Sequence, residues 1–543
     1  MSHLRPARFS WIACLCMLVL SSAALAQTPL HQRIDQHIQK GLKGDPAQRS
    51  SDEEFLRRVY LNLTGVIPSI EEARAFLADK TADNRVKLVD NLLAGDGYTR
   101  HMTNLFDVLL MDRRPDKHVQ RPQWRDFLQT SFAKNKPYDL LVREILSADG
   151  SDPKTRPAAK FYLDRDAEPN VLTKDVSRLF LGMNLHCAQC HDHPLVDAYK
   201  QDFYYGLLAF LNRGYLFADK GSKTSIYAEK AEGDVTFQSV FVAKVTKSTG
   251  PRLPDGKELK DPKFDKGQEY VKPVGKGERG IPKYSRRAQL ADQIASKDNP
   301  RFARAAVNRL WYFMMGRGIV EPVEYDHPAN PPSHPELLQM LSEEFVASKY
   351  DVKSLVRAIV LTDTYQRTSE LPKGKEVDPK TFAAASLKPV TPEQFAWSMM
   401  QATGLIAAER KAQGAKPNDA AIYAKLAGQV PPFVALFGTQ PGDAAFSQDF
   451  EATLDQTLFL ANGATLRDWL GTRAGSLIDR ANLQKDAGLA TEEMYLSVLT
   501  RLPTAEERKE VVDYLKRREA NRLTALQDLA WALLTSAEFR FNH

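Results

Sequence analysis

Apolar residues recur at helical spacing along most of the chain. The run Ser51-Asp52-Glu53-Glu54 has the form of a capping box, which marks the start of a helix. The apolar positions that follow it three to four residues apart are Phe55, Val59, Tyr60 and Leu63. Comparable patterns return over residues 285–370 and again after residue 386. We therefore predict a mainly α fold built of multi-helix domains.

The pattern changes between residues 218 and 283. Residues 235–242 partly alternate and are rich in β-branched and aromatic side chains, as a strand should be. Pro254-Asp255-Gly256 predicts a turn, and lysine and glycine then dominate as far as Gly280. We predict a small β-rich insertion near residues 218–283, between a helical domain at 27–217 and a second at 284–543.

The first 26 residues have the pattern of a signal peptide. Arg5 and Arg8 give a positive start, residues 11–20 are apolar, and Ala24-Leu25-Ala26 is a small-x-small cleavage site. No later segment is apolar enough to cross a bilayer. We expect an exported protein, periplasmic or at the cell surface, without a membrane span once the signal peptide is removed.

Charge excludes one class of partner. The 543 residues carry a formal charge of +6, and removing Arg5 and Arg8 leaves +4. This is small for the length, so there is no electrostatic case for binding nucleic acid. An apolar content of 43% is enough for well-packed cores.

The chain contains Cys187-Ala188-Gln189-Cys190-His191, the Cys-x-x-Cys-His pattern that holds a c-type haem. We expect an apolar helix, capped at Thr173, to run into this motif and to break at Pro194. On a helix the spacing places Cys187, Cys190 and His191 on one face. The two thiols would then reach the haem vinyl groups while the imidazole ligates the iron.

A c-type haem takes a second axial ligand in many proteins, commonly methionine or histidine. The sequence does not rank the candidates. They are His193, His186, His101, His118, Met183 and Met111.

Other interpretations of the motif remain open. Cys187, Cys190, His191 and His193 could bind zinc, because thiolate and imidazole suit that ion. The two cysteines could instead form a small-loop disulfide, or could be reduced and merely packed. The other cysteines, Cys14 and Cys16, lie in the predicted signal peptide.

Several blocks of sequence resemble a known pair of domains. Residues 52–64, 180–194 and 200–206 resemble the domain of unknown function 1549, the second of the planctomycete-type cytochrome-associated domains. The usual C-terminal companion of that domain is the domain of unknown function 1553. The blocks that resemble this second domain are residues 299–311, 316–322, 330–338, 501–504 and 536–542. The resemblance implies an exported bacterial protein. Many relatives carry an additional N-terminal cytochrome-c-like domain, which we do not expect in this chain because few residues precede its first family helix.

Three functional hypotheses follow from these observations. The first is a c-type haem protein for electron transfer or a haem-dependent oxidation, working with redox partner proteins in the envelope. The second is a zinc-dependent envelope enzyme acting on polysaccharide, with Asp192 or Asp197 nearby. The third is an envelope scaffold or binding protein in which the motif only stabilises the fold. The sequence names no reaction, so enzymatic activity stays undecided.

Overall fold

The computed structural model describes residues 28–193, 196–197, 199–240, 245–371, 376–438 and 453–543. The predicted signal peptide, with Cys14 and Cys16, and the predicted helix breaker Pro194 lie outside these ranges. The mainly α fold class is confirmed. Within the described ranges, helices make up most of the secondary structure and each sheet has two strands.

The first half of the chain is a series of helices. They are α1 (Leu30–Gly41), α2 (Asp52–Thr64), α3 (Ile70–Ala78), α4 (Asn84–Ala94), α5 (Asp96–Met111), α6 (Arg121–Ala133), α7 (Tyr138–Ser147), α8 (Lys160–Leu163), α9 (Pro169–Leu181) and α10 (Gln201–Leu211). Local chemistry explains where α2 begins and ends. The Ser51 side chain accepts a hydrogen bond from the Glu54 amide, and Gly65 ends the helix at φ 72°. The Glu54 carboxylate does not complete the capping box but pairs with Arg58.

The β-rich insertion consists of three antiparallel pairs. Its strands are β1 (Gly214–Asp219), β2 (Thr224–Glu229), β3 (Val235–Phe237), β4 (Lys247–Thr249), β5 (Tyr270–Lys272) and β6 (Ile281–Pro282). The strand predicted at 235–242 is thus shorter than expected, since β3 ends at Phe237 and residues 241–244 lie outside the described ranges. The turn at Pro254-Asp255-Gly256 is confirmed by a bond from the Gly256 amide to the Leu253 carbonyl.

Helices return after the insertion. They are α11 (Arg286–Ile294), α12 (Pro300–Met315), α13 (Pro335–Ala347), α14 (Val352–Val360), α15 (Pro392–Ala402), α16 (Leu405–Ala412), α17 (Asp419–Leu426), α18 (Pro431–Phe437), α19 (Leu454–Asn462), α20 (Ala464–Trp469), α21 (Leu477–Leu483), α22 (Ala487–Leu499), α23 (Ala505–Arg517), α24 (Arg522–Thr535) and α25 (Ala537–Arg540). The strands β7 (Lys388–Pro389) and β8 (Phe541–Asn542) pair with each other.

The apolar faces of these helices form two buried clusters. The first extends along the chain from Ile34 to Phe382. The second runs from Phe395 to Phe539 and also takes in Leu61, Val66 and Ile67 at the end of α2. α2 therefore contributes to both cores. The domain boundaries near 217 and 284 stay a prediction.

One bent helix pair meets the length and composition of a membrane span. It comprises Asp419–Gln429 and Pro431–Phe437, which meet at 51°. In the part of the chain that the structure describes, no single helix is both long and apolar enough to cross a bilayer.

Candidate functional site

The helix that precedes the cysteine motif ends earlier than the sequence predicts. α9 stops at Leu181, and Gly182 follows in the left-handed region at φ 66°. The predicted cap is also wrong, because Glu168 caps α9 through the Val171 amide while the Thr173 hydroxyl donates to the Pro169 carbonyl inside the helix. The motif is therefore not a continuation of this helix.

The motif itself forms a single 3₁₀ turn over Cys187–Gln189. The amides of Cys190 and His191 both donate to the Cys187 carbonyl, at 3.3 and 3.4 Å. Leu185 and Ala188 are fully buried and fix the turn to the first core, whereas Cys187 and Cys190 are exposed free thiols. One short turn thus replaces the predicted helix as the carrier of the cysteines and the histidine.

The His191 imidazole has a defined hydrogen-bond partner. Its Nδ1 lies 2.6 Å from the backbone carbonyl oxygen of Asp192. A carbonyl oxygen only accepts, so Nδ1 carries a proton. A histidine that ligates a metal through Nε2 has its proton on Nδ1.

Helix α10 and the β insertion hold the motif turn from the other side. The Tyr205 hydroxyl donates to the Gln189 carbonyl at 2.9 Å. The Val240 amide donates to the Cys190 carbonyl at 3.2 Å, and the Gln201 amide donates to the Asp192 carboxylate at 2.8 Å. The backbone of the turn is therefore fixed although its thiols face solvent.

An aromatic pair lies beside Cys190. The rings of Tyr205 and Phe237 stack with centroids 4.3 Å apart and planes 7° apart. Burial raises the pKa of the Tyr205 phenol, and the nearby Cys190 adds to the shift. Tyr205 therefore stays protonated and keeps its bond to Gln189.

A second set of rings leads away from the motif. His193 contacts Tyr199 edge-on at 5.9 Å between centroids, and Tyr199 contacts His327 in the same way at 5.1 Å. Burial lowers the pKa of the His327 imidazole, and His193 lowers it further. Nothing local in the sequence connects His327 to the cysteine motif, so sequence reasoning does not place the two together.

The remaining candidate axial ligands have other surroundings. His186 is exposed within the motif segment, and its amide donates to the Asn184 side chain. His101 is buried against Gly65, and His118 lies 3.3 Å from Asp166. Met183 and Met111 are buried in the first core. Of these candidates, His186 and His193 thus lie next to the motif through their place in the sequence.

The alternative to haem is a metal ion bound directly by the side chains of Cys187, Cys190, His191 and His193. Across the described ranges, no group of three or more histidine, cysteine, aspartate or glutamate side chains is arranged to hold a metal ion.

An open cleft of about 640 Å³ begins at His327. Its walls are the 252–259 segment of the insertion, the corner between α11 and α12, and the proline loop from Asp326 to Pro332. Arg301 and Arg304 of α12 lie on the second wall. His327 therefore lines this cleft and also contacts, through Tyr199 and His193, the residues that follow the cysteine motif.

Two family models match the chain. The model described as protein of unknown function (DUF1549) matches residues 33–214. The model described as protein of unknown function (DUF1553) matches residues 286–515. The chain belongs to the proteins that pair these two domains in this order. No curated protein and no solved structure matches the chain.

The two matched regions locate the site. The cysteine motif lies inside the DUF1549 region, while His327, Arg301 and Arg304 belong to the DUF1553 region. The 252–259 wall of the cleft lies between the two. Both domains and the segment that separates them therefore contribute to this part of the molecule.

Proposed function

We propose that the protein is an exported c-type haem protein that exchanges electrons with a redox partner protein in the envelope. Cys187 and Cys190 would bind the haem covalently, and His191 would be an axial ligand of its iron. When bound, the haem supplies a one-electron centre whose potential the protein tunes through ligands, hydrogen bonds and burial.

The observation that carries the proposal is the hydrogen bond of His191. Its Nδ1 donates to the Asp192 carbonyl, which fixes the ring orientation, and the proposed ligand atom is Nε2. Histidine ligands of metals are held in this way in general.

The two cysteines have the accessibility that attachment requires. Both are exposed free thiols on one turn, so each can add its S–H bond across a vinyl group without loss of core packing. The turn is held through Gln189 and Cys190 carbonyls rather than through the thiols. Attachment would therefore leave these backbone contacts in place.

The stack of Tyr205 and Phe237 would form an apolar wall next to Cys190. Such a wall lowers the local dielectric and limits water on that side, which is a means of setting a redox potential. Tyr205 also holds the turn through its hydroxyl, so one residue would position the site and shield it.

The test is expression of the full chain together with haem-attachment machinery. We expect haem that stays on the chain in a denaturing gel, and a reduced-minus-oxidised spectrum typical of a c-type centre. Cys187→Ala and Cys190→Ala should each remove one thioether, and the double variant should lose the covalent haem. His191→Ala should keep the attachment but change the spectrum, because it removes only the axial ligand.

The matched control is His37→Ala, which removes a partly buried histidine on α1 beside Glu336. It should leave both the haem stain and the spectrum unchanged. A wild-type chain that carries no covalent haem after expression with the machinery would refute the proposal.

A further inference from the structure

Two ion pairs line the cleft beside His327. Arg304 donates from Nε and Nη2 to the two carboxylate oxygens of Asp326, with 3.0 Å between Nη2 and Oδ1. Arg301 donates from Nε and Nη2 to Oδ2 of Asp255, at 3.2 and 2.6 Å. The second pair joins α12 to the tip of the 252–259 segment, where Asp255 has φ 61°.

These ion pairs determine what the cleft can recognise. Arg301 and Arg304 are each neutralised by a carboxylate. The lining also carries the basic Arg252 and Lys257 and the acidic Asp298, so its opposite charges nearly balance. Each pair presents donor nitrogens and acceptor oxygens side by side. A hydroxyl group both donates and accepts, so neighbouring hydroxyls of one ligand match such a pair.

Much of the remaining lining is apolar, beside the polar or charged residues Arg252, Lys257, Gln293, Ser296, Asp298 and Asn299. Pro254, Pro328, Pro331 and Pro332 offer rigid ring faces, and Leu253 and Phe210 lie with them. A concave site with apolar faces and a few fixed polar groups is the common form of a small-ligand site. A ligand with C–H faces and hydroxyl edges satisfies both parts of this lining.

We propose that the cleft binds a neutral oligosaccharide. Sugar rings would lie on the proline faces while their hydroxyls bond the Arg301–Asp255 and Arg304–Asp326 pairs. The cleft is open, so a chain of several sugar units can extend beyond it. This binding does not depend on haem at Cys187 and Cys190, although His327 places the cleft next to that motif.

The experiment uses the full exported chain and a panel of neutral hexasaccharides of glucose, mannose, xylose and N-acetylglucosamine. Binding is measured by calorimetry, with and without co-expressed haem-attachment machinery. We expect one hexasaccharide to bind with little dependence on salt, because no net charge is exchanged. Arg301→Gln and Arg304→Gln should each weaken this binding by about ten-fold or more, as expected when charged hydrogen bonds are lost.

The matched control is Arg357→Gln. Arg357 donates to both oxygens of Asp90 at 2.6 and 3.0 Å, in an exposed pair between α14 and α4 that does not line the cleft. Its loss should leave binding unchanged. Asp255→Asn lies at an exposed tip and serves as a further cleft variant if Arg304→Gln unfolds the chain; it too should weaken binding.

Three results would overturn the inference. The first is that no neutral hexasaccharide binds at millimolar concentration. The second is that Arg301→Gln and Asp255→Asn leave binding unchanged. The third is that only sulfated or uronic-acid oligosaccharides bind, with affinity that falls steeply with salt, which would make the cleft an anion site. Binding by the chain expressed without the machinery would support the cleft whatever the gel and the spectrum show for haem, so the two proposals are tested separately.

Discussion

The Asn62 side chain hydrogen-bonds to four distant parts of the chain. Its Nδ2 donates to the Met314 carbonyl at 3.0 Å and to the Tyr365 hydroxyl at 2.9 Å. Its Oδ1 accepts from Lys388 Nζ at 2.7 Å and from Asn542 Nδ2 at 2.8 Å. Asn62→Ala should lower the free energy of unfolding by about 3 kcal/mol, because several buried partners lose their bonds together. Urea unfolding curves measure this loss.

The control for this variant is Asn91→Ala, on the exposed face of α4. It should change the free energy of unfolding by less than about 0.5 kcal/mol. Equal urea midpoints for Asn62→Ala and the wild type would show that the four bonds do not contribute in solution.

Lys388 gives the same buried cluster a dependence on pH. Burial lowers the pKa of its ammonium from the ordinary 10.5 to about 7, and Arg58 adds to the shift. Between these two pKa values the unfolded chain binds a proton that the folded chain has lost. Stability should therefore rise with pH across this window, by up to about 1 kcal/mol per pH unit.

Lys388→Met isolates this contribution, because methionine has similar length and does not titrate. Urea midpoints at pH 7, 8 and 9 should rise more steeply for the wild type than for the variant. Parallel pH profiles would mean that Lys388 has an ordinary pKa in the folded protein.

The sequence identifies candidate residues only where the signal is local. Cys187, Cys190 and His191 are found because their spacing is fixed within five residues. Asn62 and His327 are not found in this way, because the residues that they contact, such as Lys388 and Tyr199, lie far along the chain. Their sequence neighbourhoods are those of an ordinary helix and an ordinary loop.

At the scale of elements, helix starts depend on short-range bonds. A capping box opens α23: the Glu507 amide donates to the Thr504 hydroxyl at 3.2 Å, and the Thr504 amide donates to the Glu507 carboxylate at 2.7 Å. Thr504→Ala should cost about 1 kcal/mol in the free energy of unfolding. Thr504→Ser keeps the hydroxyl and should stay close to the wild type, as judged by urea midpoints. Equal losses for both variants would contradict a role for the cap.

The end of α9 shows why other boundaries escape sequence reasoning. The Asn184 amide donates to the Glu324 carbonyl at 2.8 Å, and the Asp326 amide donates to the Gly182 carbonyl at 3.0 Å. A segment of the DUF1553 region thus hydrogen-bonds to the backbone just after Leu181, and these bonds take the place of a further helical turn. Gly182 is the local sign of this end, but the apolar positions on either side of it continue the helical pattern.

At the scale of the whole molecule, the two family regions share one core. Arg178 of α9 pairs with Asp112 at 2.8 Å in the first region and with Glu324 at 3.0 Å in the second. Arg309 of α12 donates to the Leu179 carbonyl of α9 at 2.6 Å. The matched regions are separate in sequence, yet buried polar groups of each region bond to partners in the other where α9 packs on α12.

A cut between the regions should therefore not release two folded halves. Gly267 lies in an exposed turn of the insertion with φ 87° and open space around it, so a protease site can be placed there. After cleavage the two pieces should stay together on a sizing column and unfold in one transition, because the first cluster takes residues from both. Expressed alone, residues 28–266 and 267–543 should each lack a cooperative transition, since Arg178 and Arg309 lose buried partners. A cooperative urea transition of residues 28–266 alone would instead make the first family region an independent folding unit.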